Sequence, residues 1–173
     1  MLKKITTMAA LSAAILILCL CVKPAPQTTV LKHLPLDNLD GLITLSGVEI
    51  DRQVTSDGNG ALKVTSLQMT TVKLFEFSDI DLENASLIYR AKIRCDSLPG
   101  QAYLEMWCRF PGMGEFFSRG LQNQVTGTMN WISAETPFFL KKGEKPDLIK
   151  LNLVMTSGGI VWIDDIQLLK STM

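Results

Sequence analysis

Two adjacent carboxylates, Asp164 and Asp165, interrupt the apolar stretch GGIVWIDDIQLL at residues 158–169. Two carboxyl groups facing one bond are what glycoside hydrolysis needs, one as acid and the other as base or nucleophile. An apolar run that starts at two glycines reads as a strand, and successive side chains of a strand point to opposite faces. The pair therefore cannot serve one substrate. One carboxylate turns to the interior or a sheet end, where it needs hydrogen bonds or a cation, and the other meets water.

The second candidate is AYLEMWCRF, residues 102–110. With Leu104, Met106, Cys108 and Phe110 on the core face, Tyr103, Glu105, Trp107 and Arg109 share the opposite one. Tyr103 and Trp107 lie about 13 Å apart at strand rise, a separation suited to stacking on different units of an extended ligand, with Glu105 and Arg109 beside them to hydrogen-bond. The competing reading is that a second layer covers this face and the aromatics only pack. The pair Phe116-Phe117 joins the candidate site from PGMGEFFSRGLQNQ, 111–124, which reads as the longest non-strand loop.

The other reactive side chains assemble into nothing. His33 is the only histidine, so a histidine metal site or triad has no partner. No G-x-S-x-G elbow, phosphate-cradling glycine loop or Cys/His pair is present. SDIDLEN places Asp79, Asp81 and Glu83 at alternating positions but lacks the glycine and distal glutamate of a calcium loop, and reads as a solvated connection. Trp131 and Trp162 read as packing. Cys95 and Cys108 both fall on core positions. A turn at Leu98-Pro99-Gly100 offsets them by about 13 Å, so two buried thiols are favoured over a bridge.

The elements that position these residues are short apolar or alternating runs. Strands are expected near 41–50, 60–67, 70–77, 86–95, 102–110, 124–133, 136–140, 148–156 and 160–169, with turns at DGNG, LPG, KKGEKPD and TSGG. No amphipathic helix of normal length is visible, so the fold class is all-β, an antiparallel sandwich or barrel of eight or nine strands.

The 173 residues hold 17 Lys plus Arg and 17 Asp plus Glu, a balance that excludes a field for nucleic acid. Lys3 and Lys4 precede an apolar run from Met8 to Val22, the pattern of an export signal over residues 1–26. Counted from Ile5, the run is long enough for an uncleaved membrane anchor, and Cys19 or Cys21 offers lipidation as a third alternative. Residues 27–38 read as a tether and 39–173 as one domain, exported to the periplasm or cell surface.

The order G-x-V-W-I-D-D-I-x-L at the C-terminus, the preceding LIKLNLVM, TGTMNWISAETPFFL around Trp131 and the early DGNGALKVT together resemble the carbohydrate-binding-module and galactose-binding-like jelly rolls, over most of residues 39–170. The resemblance implies a β-sandwich without catalysis of its own. It also implies a structural calcium on a last-strand aspartate, which by position is Asp165, with Asp37, Asp40 and Asp57 as the acidic residues near the early loop. The expected function is an exported binding module for carbohydrate or a similar polar ligand. The alternative, from a different class, is an envelope protein-interaction or structural domain using the same face and the 111–124 loop.

Overall fold

The computed structural model describes residues 27–78 and 80–172. The export or anchor segment expected over 1–26 and Asp79 lie outside the described residues. Nine strands follow in chain order: β1 Thr28–Leu34, β2 Val48–Asp51, β3 Ala61–Ser66, β4 Thr70–Phe77, β5 Ala85–Phe110, β6 Gly114–Arg119, β7 Val125–Leu140, β8 Leu148–Met155 and β9 Gly159–Ser171. Every pairing is antiparallel. Among the described residues there is no α-helix, only a 3₁₀ turn at Leu121–Asn123.

β5 is the spine. Ser86–Asp96 pairs with β9, while Ala102–Arg109 pairs with β8 and, from Glu105 onward, with β6. The strand passes between two sheets at Ser97–Gly100, where Ser97 has φ 51°. The turn expected at Leu98-Pro99-Gly100 is therefore a corner, not a break between strands. Side chains from the β8–β9 connection keep its backbone satisfied: Gly100 N–H donates to Ser157 Oγ at 2.8 Å and Gln101 N–H to Thr156 Oγ1 at 2.9 Å.

One sheet runs β2-β3-β9-β5-β7, with β1 along the end of β9 that β3 does not reach; the other runs β4-β8-β5-β6. Alternation fills the space between them. Leu87, Tyr89, Ala91, Ile93 and Cys95 from the first half of β5 meet Leu104, Met106 and Cys108 from the second, with Leu62, Leu151, Leu153 and Ile163 around them, all buried. The result is a β-sandwich of jelly-roll type, as expected.

β9 resolves the question of the paired aspartates. Its core residues are Val161 and Ile163, then Ile166 and Leu168, a phase shift of one residue at Asp164-Asp165. The ladder to β5 slips there too, and Asp165 sits at φ 48°. This is a β-bulge, and aspartate tolerates its left-handed residue because a short polar side chain can bond locally. Asp164 Oδ1 accepts the Asp165 N–H at 2.8 Å and its Oδ2 accepts the Ser56 N–H at 2.9 Å, which satisfies a fully buried carboxylate.

Several stretches differ from expectation: the strand expected over 41–50 is confined to Val48–Asp51, and those expected over 124–133 and 136–140 are the single strand β7. Thr28–Leu34 belongs to no tether but pairs with β9, and Leu31 and Leu34 pack on the core. The 111–124 stretch is not a loop: Gly114–Arg119 forms the edge strand β6. The sandwich thus has a corner end, with 97–100, 156–158 and the β3–β4 turn, and a far end, where β1 begins and β5 and β7 finish.

Candidate functional site

The outer face of the second sheet carries the candidate residues. Tyr103, Glu105, Trp107 and Arg109 do share it, because Leu104, Met106 and Cys108 are committed to the core. Register places Tyr103 beside Val154, Glu105 between Asn152 and Arg119, Trp107 between Lys150 and Phe117, and Arg109 between Leu148 and Glu115.

The four residues have different duties. Glu105 is only 4% exposed and both its oxygens are engaged: Oε1 accepts Trp107 Nε1 at 2.7 Å and Asn152 Nδ2 at 3.2 Å, and Oε2 accepts Arg119 Nε at 2.7 Å. The expected ligand-contacting carboxylate is instead a buried anchor that orients its neighbours. Its hydrogen bond raises the Arg119 pKa further and holds the guanidinium charged. Arg109 turns away to Asp147, 2.8 Å from Nε to Oδ1, and does not line the groove. Tyr103 is 8% exposed and forms floor.

Around them lies an open groove of about 530 Å³, within the range of ligand sites. Met69, Thr70 and Thr71 form one side, Tyr103, Asn152 and Val154 the floor, and Trp107 and Arg119 the other side. Trp107 is half-buried, its indole packed on Phe117 with ring centres 5.0 Å apart, and Arg119 stacks over the same Phe117 at 4.4 Å. Phe116 faces the other way, against Phe110 at 5.9 Å, so the adjacent phenylalanines serve opposite faces of β6. Arg119 and Met69 were not legible as site residues, since only the pairing of β6 and the β3–β4 turn brings them to this face; the polar Lys150 and Asn152 alternating with apolar residues in LIKLNLVM did signal an outward row.

The remaining candidates lie elsewhere. Asp165 Oδ1 accepts His33 Nε2 at 2.7 Å and Gln167 Nε2 at 3.0 Å. Asp165 is thus engaged with an imidazole and an amide, and among the described residues no three of His, Cys, Asp and Glu converge on one point. Asp81 and Glu83 pair with Lys145 at 2.9 and 3.5 Å. Trp162 is buried on the outer face of the first sheet, under Arg94, with Nε1 donating to Asp51 at 3.0 Å. Cys95 and Cys108 are free and buried.

No family model and no curated protein matches the chain. Solved structures do. The CBM22-1 xylan-binding domain from Paenibacillus barcinonensis Xyn10C matches with TM-score 0.58 at 13% identity, over 86% of this chain and 99% of that one. The CBM22-1–CBM22-2 tandem of the same protein gives 0.62 at 13%, over 86% of this chain and 46% of that one. The Clostridium thermocellum Xyn10B CBM22-1–GH10 modules, solved with xylohexaose, give 0.58 at 12%; the match covers 81% of this chain but spans only 28% of that one. Similarity at this level fixes architecture, and the chain has the jelly-roll fold that these carbohydrate-binding modules share.

Proposed function

We propose that the chain is a non-catalytic carbohydrate-binding module, exported from the cytoplasm, that takes an extended sugar chain in the groove beside Trp107. The observation that carries this reading is the way Trp107 is held. Its one polar group is already bonded to Glu105, so what it offers the groove is an apolar face in a fixed orientation, which suits the C–H face of a sugar ring. Tyr103, Thr71, Asn152 and Arg119 line the same groove and bring hydroxyl, amide and guanidinium groups to bond sugar hydroxyls. The shared fold with a xylan-binding domain supports the class of ligand and makes xylan the first to try.

The test is retardation in native gels cast with xylan and with other soluble polysaccharides. The protein should be slowed by at least one of them, and Trp107→Ala should migrate freely while keeping its thermal unfolding transition. Unchanged retardation of a folded Trp107→Ala variant would remove the groove from the account.

A further inference from the structure

We propose that the far end of the sandwich is a bilayer-docking surface, on which Met113, Phe116 and Phe139 enter the lipid interface while the groove, toward the corner end, faces away from it. The proposal does not depend on what the groove binds.

The apolar side chains there exceed what the core needs. Phe110, 5% exposed, is already covered by Phe116 at 5.9 Å and Phe138 at 6.0 Å. Yet Met113 remains 59% exposed, Phe116 47% and Phe139 64%, around a shallow groove of about 370 Å³. Large apolar side chains clustered at one end of a soluble-sized domain mark a contact surface.

The chain itself says what that surface meets. Thr28 pairs with Ser171, Ser171 with Ser86 and Ser86 with Phe139, so the first residue of β1 and Phe139 lie in one row across the sheet, three strand spacings or about 14 Å apart. The apolar run Met8–Val22 ends just before Lys23, and the residues from there to Gln27 span at most about 17 Å when extended. A bilayer that holds this run is therefore within reach of the far end, where β1 begins.

Charge at this end is balanced, which favours apolar insertion over purely electrostatic attachment. Asp81 and Glu83 are paired with Lys145, Glu144 with Lys141 and Asp147 with Arg109, while Lys142 and Lys170 are exposed beside them to meet headgroups.

The test reconstitutes the full chain into phosphatidylethanolamine–phosphatidylglycerol vesicles containing a phospholipid with a diazirine near its headgroup, and maps the photo-adducts by mass spectrometry. Adducts are expected within 110–117 and 138–142 as well as in 8–22, and not at Leu67, which is 99% exposed at the corner end. The double variant Met113→Ser, Phe139→Ser should lose the adducts on the sandwich and keep those in 8–22; Met113→Ser alone, in an exposed turn, serves if the double variant fails to fold. Adducts confined to 8–22, or equal labelling of both ends, would overturn the proposal. So would cross-linking of this surface between two copies, or a chain cleaved before Thr28 and recovered free of the vesicles.

Discussion

Glu105 organises the groove by what it holds. Removing its charge while keeping its shape tests this: Glu105→Gln leaves Arg119 without a carboxylate and brings an NH₂ against one of the donors it formerly bonded. A loss of about 1–3 kcal/mol in denaturant unfolding is expected, together with weaker sugar retention because Trp107 and Arg119 are no longer fixed. Stability and binding both unchanged would show that the network is incidental. Alternation in AYLEMWCRF was enough to place Tyr103, Glu105, Trp107 and Arg109 on one face. It could not show that Glu105 is buried or that Arg109 turns to Asp147, because burial on an outer face depends on the neighbouring strands. Asp165 likewise shows its role only when β1 brings His33 beside it.

At the scale of elements, the corner end ties the fold to the groove. An added Cβ on Gly158 would lie 2.6 Å from the carbonyl carbon and oxygen of Leu67, backbone that leads straight to Met69 on the groove wall. Gly158→Ala should therefore cost about 1–3 kcal/mol and weaken binding by displacing that turn; a variant of unchanged stability would mean that the turn yields freely. Most strands were legible from apolar alternation bounded by turn residues. The joins were not: Leu98-Pro99-Gly100 has the composition of a turn, but Thr156 and Ser157 supply the hydrogen bonds that let one strand bend through it. β1 and β6 were missed because neither alternates cleanly: the register of TTVLKHL shifts between Val30 and Lys32, and GEFFSR spends its adjacent phenylalanines on opposite faces.

For the molecule as a whole, the core sets the response to alkali. Burial pushes the Cys108 thiol from an ordinary 9.0 up to about 12 and raises Tyr89 as well. The folded chain keeps protons that the unfolded chain releases, so stability is full below pH 9 and falls as pH rises toward 12. At about 1.4 kcal/mol per pH unit, Cys108 contributes a loss of about 4 kcal/mol across that window. Urea unfolding at pH 8 and pH 11 should show the drop, and Cys108→Ala should reduce it; equal stability at both pH values would contradict the assigned burial. Thiol reagents at pH 8 should leave Cys95 and Cys108 unmodified until the protein is denatured, and rapid native labelling would place either thiol outside the core. Their burial was legible from strand parity. The packing of β1 was not, and a chain begun at Pro35 should lose the cover that Leu31 and Leu34 give the core and unfold at lower temperature than the full domain.

The measurement that bears most directly on the account is an amide NMR titration of the folded protein with xylohexaose and, in parallel, with oligosaccharides of other linkages. The account predicts saturable shifts for at least one sugar, concentrated at residues 69–71, 103–107, 119 and 152–154. Saturable shifts located elsewhere, or none with any sugar, would contradict it.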